Sequence, residues 1–246
     1  MDATELYRAG RLDEAIAALG LALRDDPTNA ARRTFLFELL CFAGEYDRAE
    51  KQLDILARNS RDAELGAWLF RSALHAERLR QTMFLDGALP PGGPVAAPAG
   101  ALNGVPFASL SDADPRIGAR LEVFAAGQYT WLPFEHITSL RAGPPRYLRD
   151  LLWIPARVQT RADYRGSELG EVLIPALTPL CWREDDAELR LGRATDWREG
   201  ADGPLPVGQK VLLVDGEPLP LLELRTLEFT APSEDVEVSA TPVPAT

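Results

Sequence analysis

Reactive side chains are scarce in this chain. Its 246 residues include two cysteines, Cys41 and Cys181, and two histidines, His75 and His136. Cysteines so few and so far apart build neither a disulfide framework nor a thiolate zinc site, so each reads as a small buried apolar side chain. With two histidines a metal centre would rest on carboxylates, and no metal or cofactor is expected. Long apolar runs are missing too, since none approaches the roughly 18 residues that a membrane helix needs. The start Met1-Asp2-Ala3-Thr4-Glu5 lacks the basic residues of a secretory leader. A cytoplasmic protein without membrane contact is therefore expected. Lysine is almost absent, Lys51 and Lys210 being the two among 26 basic residues. Nowhere do Lys and Arg cluster into the stripe that displaces counterions from phosphates, so nucleic acid is not an expected partner.

Catalytic signatures are absent as well. There is no Gly-x-Ser-x-Gly elbow, no phosphate-binding loop ending in Lys-Ser/Thr, no Gly-x-Gly-x-x-Gly and no His-Glu-x-x-His. The remaining enzyme reading is a hydrolase in which His136, within Pro133-Phe134-Glu135-His136-Ile137, acts as a general base with Glu135 or Glu171. Adjacent strand residues point to opposite faces, which favours a structural histidine. Glu184-Asp185-Asp186 lacks the alternating spacing of a calcium loop and reads as a solvated loop. Ser167, in Arg165-Gly166-Ser167-Glu168, is a turn serine with no histidine near it in sequence.

What the chain does have is an ordinary globular composition, 46% hydrophobic and 26% charged, at a length that suits one large domain or two small ones. Its net charge of −11 is uneven: the last 64 residues hold 14 of the 37 acidic side chains and 6 of the 26 basic ones. Such an end can attract a basic partner surface at long range.

An internal repeat organises the first third. Ala9-Gly10-Arg11-Leu12-Asp13-Glu14-Ala15 and Ala43-Gly44-Glu45-Tyr46-Asp47-Arg48-Ala49 lie 34 residues apart, the tetratricopeptide period, and Leu19/Leu53 and Ala22/Leu56 keep the offset. Glycine turns the chain between antiparallel helices, and a small alanine lets them approach. Pro27 closes the first unit, and Arg61 stands where the second would repeat it. Apolar spacing predicts helices over 12–24, 29–42, 46–58 and 62–83, the last outrunning the repeat as a terminal cap. So short an array should lean on the rest of the chain.

Residues 86–100 form a Pro/Gly/Ala linker without periodicity. Beyond it the period changes. Stretches 120–125 and 128–132 flank Ala126-Gly127 as a hairpin, 153–160 and 210–214 read as strands, and Asp215-Gly216 turns the chain towards a strand over 221–229, with Leu222 and Leu224 on one face. The small and acidic residues from Ala231 onward read as a disordered tail. The predicted class is α+β: a tetratricopeptide-like α-helical array over 1–85, the linker over 86–100, a β-rich domain over 101–230 and a tail over 231–246.

Helix-pair arrays present a concave face to extended or helical peptides. On the helix over 29–42 the face opposite Leu36 and Leu40 carries Ala31, Thr34, Glu38, Cys41 and Phe42; one repeat later stand Leu65, Trp68, Ser72, His75 and Ala76. Aromatic anchors within a polar rim are the composition of a binding hot spot, so Thr34, Glu38, Phe42, Leu65, Trp68, Ser72 and His75 are the predicted partner-helix site. The alternative is that the β-rich half packs on this face, wholly or in part.

Several longer segments carry a resemblance. Phe35-Leu36-Phe37-Glu38-Leu39-Leu40-Cys41-Phe42-Ala43-Gly44, Arg149-Asp150-Leu151-Leu152-Trp153-Ile154-Pro155-Ala156-Arg157-Val158, Gly170-Glu171-Val172-Leu173-Ile174-Pro175-Ala176-Leu177 and Gly208-Gln209-Lys210-Val211-Leu212-Leu213-Val214-Asp215-Gly216-Glu217, then Leu221-Leu222-Glu223-Leu224-Arg225, occur in this order. Over about residues 4–230 the chain resembles the ImpE/SciE family, also called TagJ, accessory proteins of the bacterial type VI secretion system. The resemblance implies a non-enzymatic cytoplasmic adaptor. Its partner would be the small sheath subunit, bound through that subunit's N-terminal helix, near the ATPase that disassembles the sheath. The family supplies no catalytic motif to carry over.

Overall fold

Asp2 accepts a hydrogen bond from the Glu5 N–H while the Glu5 carboxylate accepts one from the Asp2 N–H, a capping box that starts helix α1 (Ala3–Arg8). Helix periodicity does not predict α1; the Asp-x-x-Glu spacing is the signal that marks it. The computed structural model of the chain describes residues 1–91, 97–162, 164, 168–201 and 203–230. The centre of the predicted linker, Ser167 and the predicted tail lie outside the described residues.

Four further helices follow: α2 (Leu12–Asp25), α3 (Ala30–Phe42), α4 (Tyr46–Leu56) and α5 (Arg61–Asp86). Asn29 caps α3 and Ser60 caps α5, each accepting from an N–H of the first turn. The repeat places α1–α2 and α3–α4 as two equivalent pairs, turned at Gly10 and Gly44, whose φ angles are +73° and +71°. Ala15 and Ala49 are completely buried where the helices close on one another. Together these elements make the tetratricopeptide-like helical region. At about 1.5 Å per residue the 26 residues of α5 span about 39 Å, long enough to leave the array and enter the next part of the chain.

That part is sheet-rich. Its strands are β1 (Gly100–Leu102), β2 (Val105–Phe107), β3 (Leu110–Asp112), β4 (Arg120–Ala125), β5 (Gln128–Pro133), β6 (Ile137–Ala142), β7 (Trp153–Thr160), β8 (Glu168–Pro175), β9 (Thr195–Gly200), β10 (Gly203–Gly208), β11 (Val211–Val214), β12 (Glu217–Pro220) and β13 (Thr226–Phe229). Eight form one antiparallel sheet in the order β2-β1-β13-β6-β7-β8-β4-β5; β12-β11-β3 form a smaller sheet, and β9 pairs with β10. The expected β4–β5 hairpin turns at Ala126 and Gly127, both with positive φ, and Asp215-Gly216 turns β11 into β12.

The stretch 221–229 is not one strand. Residues Leu221–Glu223 form a 3-10 turn closed by the Leu224 N–H on the Leu221 carbonyl, which buries Leu221 and Leu224 together; pairing resumes only at Thr226. Alternation had put Leu222 and Leu224 on one face, and the three-residue period of the turn moves Leu222 off it.

Strand alternation gives the large sheet two different faces. Ile154, Ala156 and Val158 face a core shared with Val172, Ile174, Leu140 and Leu212 of the smaller sheet. Trp153 faces the other way and joins Phe124, Leu177 and Cys181 in the core of the helices, against Leu40, Phe42 and Leu74. The helices therefore share one core with the sheet. A segment with a 3-10 turn (Cys181–Arg183) and a short helix α6 (Ala187–Arg190) runs across both glycine turns, with Trp182 against Gly44 and Glu188 against Gly10, while Arg190 holds Asp13 by two bonds of 3.0 and 3.1 Å.

Where α5 enters the sheet-rich part, charges are fully buried. Arg80 donates to Glu122 at 2.7 and 3.2 Å, to Glu77 at 3.0 Å and to the Leu177 carbonyl at 2.8 Å. Lys210, immediately before β11, pairs with both Glu122 and Asp112. Tyr129 donates to Glu122, and the Trp153 indole donates to Glu77 at 2.9 Å. Three carboxylates thus face two cations. Burial pushes Glu122 up, but Arg80 and Lys210 outweigh it and hold this carboxyl at about 2. Burial raises Asp112 to about 6, with Lys210 pulling it down and Glu122 pushing it up.

These directions fix a pH dependence. Between about pH 4 and about pH 6 the folded chain binds a proton at Asp112 that the unfolded chain releases, so stability rises as pH falls through this window. Glu122 acts oppositely: its contribution is present above its unfolded pKa and is lost as pH falls below about 4. Urea melts should therefore shift to higher midpoint from about pH 7.5 to about pH 5, and Asp112→Asn should diminish that shift whatever it does to stability at neutral pH, leaving the part that Glu38, also raised by burial, contributes. An undiminished shift in the variant would remove Asp112 as its source.

Candidate functional site

The seven residues of the predicted partner-helix face do not stay together. Phe42 is 1% exposed and packs in the shared core, so it cannot meet a partner. Glu38 is also buried, and its carboxylate accepts from Arg149 at 3.1 Å. Burial raises the Glu38 pKa, with Arg149 opposing the shift. These positions are corrections to the sequence reading: the 3-10 turn Leu148–Leu151 between β6 and β7 packs on α3 and brings Arg149 to Glu38, while Phe42 lies in a core shared with Leu152, Trp153, Leu177 and Cys181. Thr34 is half-buried and donates its hydroxyl to the Ala30 carbonyl, and His75 is exposed. Ser72 lies against Gly127 in the β4–β5 turn, where α5 rests on the sheet. Leu65 and Trp68, on the first turns of α5, stay 61% and 64% exposed.

Trp68 forms one wall of a groove of about 540 Å³ between α5 and the open part of the sheet face. The floor is apolar: Phe70, Trp153, Phe124 and Leu173, with Phe70 stacked on Trp153 at 6.4 Å. The opposite wall is the end of β6 at Arg141 with the loop that follows it to Tyr147, in which Tyr147 is 58% exposed. Arg149 ties the two walls together, its guanidinium lying 5.2 Å from the Phe70 ring centre and 4.1 Å from that of Tyr147 while it bonds Glu38. Asp150 fixes the loop by accepting the N–H groups of Arg146 and Tyr147 at 2.8 and 3.0 Å. Exposed Leu65, Trp68, Leu69 and Tyr147 make a local apolar patch beside a preformed cavity, the usual mark of an interaction site.

The other candidates have local roles. His136 sits in a 3-10 turn (Phe134–His136), not a strand, so its Nε2 comes within 3.7 Å of Glu135, and its ring stacks on Tyr164 at 4.5 Å. Glu171 pairs instead with Arg157 at 3.5 Å on the rim of the groove. Asp186 caps α6, and Glu184 pairs with Arg198. Burial pushes Cys41 up and Cys181 up to about 12, so both thiols stay protonated and unreactive. Among the described residues no helix is long and apolar enough to cross a membrane.

Sequence reasoning missed Tyr147 and the arginines around it. Their signal was available in Arg141-Ala142-Gly143-Pro144-Pro145-Arg146-Tyr147, where breakers enclose two arginines and an aromatic, the pattern of an exposed loop with a role in binding.

Comparison with known proteins bears on both halves. A family model described as ImpE protein matches residues 104–228, and a tetratricopeptide repeat model matches residues 6–78. A curated Pseudomonas aeruginosa protein, the type VI secretion system accessory component TagJ, is 36% identical over 264 aligned residues that cover 93% of this chain and 91% of the relative. A crystallised Vibrio parahaemolyticus protein has the same fold, with a TM-score of 0.80 at 23% identity over 93% of this chain and 97% of its own.

Proposed function

The chain belongs to the ImpE/TagJ family of type VI secretion accessory components, and on that premise we propose that it is a non-enzymatic cytoplasmic adaptor. Its partner is the small subunit of the contractile sheath, bound through that subunit's N-terminal helix, and it acts beside the ATPase that disassembles the sheath. In this reading residues 1–85 supply one wall and part of the floor of the partner surface, through Trp68 and Phe70, and residues 101–230 supply most of its floor and the opposite wall.

One observation carries the proposal: Trp68 stands 64% exposed at the mouth of an apolar groove whose walls are tied to both halves of the chain. A large aromatic left in water beside a preformed cavity is poorly explained by folding and well explained by a partner's apolar side chains. Helix-in-groove binding uses apolar anchors at positions i, i+3 or i+4, and i+7, and an apolar floor beside an exposed tryptophan suits such anchors.

The test uses the full chain and a synthetic peptide of the sheath subunit's N-terminal helix in calorimetry. Trp68→Ala should weaken binding by more than tenfold, on the order of the 2 kcal/mol that defines a hot spot. His136→Ala should leave binding unchanged. Equal affinity in a folded Trp68→Ala variant would take the groove out of the proposal.

A further inference from the structure

On a chain of net charge −11, the rim of this groove is basic. Two of its arginines, Arg149 and Arg157, have partners, in Glu38 and Glu171. The side chains of Arg141 and Arg146 make no hydrogen bond or ion pair among the described residues, and both are exposed. The register makes this costly. Arg141 of β6 lies directly opposite Arg157 of β7, and Arg157 opposite Glu171 of β8. Directly opposed cross-strand residues have Cβ atoms about 4.5–5.5 Å apart, where like charges destabilise the sheet. One carboxylate serves this row, 3.5 Å from Arg157 and largely in water, where an ion pair is weak. Among the described residues no carboxylate offsets Arg141 at this position, while an incoming anion would meet both arginines at once.

We infer that the groove selects an acidic amphipathic helix, whose large apolar side chains enter over Phe70, Trp153 and Leu173 while its Asp or Glu side chains meet Arg141 and Arg146. The inference rests on the adaptor reading of the same groove and adds the chemistry of the occupant. Floor and rim fit the two faces of such a helix: the floor is aromatic and aliphatic, and each rim guanidinium is a planar fork that a carboxylate can engage through two bonds. A basic amphipathic helix would be repelled by the same rim, so the arginines set specificity and encounter rate as well as affinity.

The experiment uses the full chain and two model peptides with identical leucine-rich apolar faces, one with Glu and one with Lys on the flanks of that face. Wild type should bind the Glu peptide at least tenfold more tightly than the Lys peptide, with the advantage shrinking as salt rises. The surface double variant Arg141→Glu/Arg146→Glu should reverse the preference, and its thermal melt verifies the fold. Equal binding of the two peptides, or binding of neither, overturns the inference. The sheath-helix peptide is measured alongside. If it fails to bind while the Glu peptide is selected, the proposed partner falls and the acidic selectivity stands; if it loses affinity with Trp68→Ala but not with the charge reversal, the groove stands and the selectivity falls.

Discussion

Arg80→Met is expected to destabilise the protein by roughly 3–5 kcal/mol, the loss that follows when one partner of a buried ion network is removed. The side chain is 1% exposed and lies between Glu77 and Glu122, with a third bond to the Leu177 carbonyl. Without it, Glu77 loses its paired arginine and Lys210 is left to serve both Asp112 and Glu122. Buried charge of one sign relieves itself by taking up protons, so the defect should shrink towards about pH 5 as Asp112, already raised by burial, and Glu122, no longer held down by Arg80, take up protons. Arg80→Lys keeps the charge but loses the fork that reaches Glu122 through two bonds, and should fall between wild type and Arg80→Met. Urea titration followed by circular dichroism measures all three, and a loss under about 1 kcal/mol in Arg80→Met would mean the network contributes far less than its geometry indicates. Because Arg80 joins α5 to β4 and to the segment that follows β8, the array and the sheet should melt in one transition in the wild type.

The second large effect is expected at the repeat turns, where the same substitution should give different results in equivalent places. A Cβ at Gly44 would lie 2.5 Å from Cδ2 and 2.7 Å from Cγ of Trp182, a rigid ring that is itself bonded to Gln81. At Gly10 the nearest atom is Glu188 Oε1 at 2.9 Å, the far end of a flexible side chain whose pairing with Arg193 is half-exposed and can shift. Both glycines have left-handed φ, which costs an alanine about 1–2 kcal/mol. Gly44→Ala adds overpacking, typically about 1–3 kcal/mol, because the indole must move. Gly10→Ala should therefore lower stability by about 1–2 kcal/mol and Gly44→Ala by about 2–5 kcal/mol, measured as the difference in urea midpoints multiplied by a common slope. Equal losses would show that the tryptophan yields freely and that it does not brace the turn.

Helical periodicity and strand alternation made most of the elements legible, because each reports which side of a local structure is apolar. The 34-residue offset marks both glycine turns, since a left-handed turn selects glycine wherever it falls. Alternation failed at 221–229, where a 3-10 turn buries Leu221 and Leu224 by a period of three. The site was half legible. The repeat register puts Trp68 and Phe42 on one face of the helical array; Trp68 is exposed beside a groove between α5 and the sheet, and Phe42 is in the core. Periodicity separates the faces of one helix and carries no information about which distant segment covers a face.

The sequence by itself determined the α+β class, the family resemblance, the repeat with its turns and the lack of catalytic motifs, because these depend on residue types and short spacings. Only the tertiary structure decided that the turn Leu148–Leu151 covers α3 while the start of α5 stays open, that Arg80, Lys210, Asp112 and Glu122 form one buried network, and that Arg141 lies opposite Arg157. The reason is the same in each case. These contacts join residues tens to more than a hundred positions apart, and the free energy that selects them comes from burial and charge pairing across the whole chain.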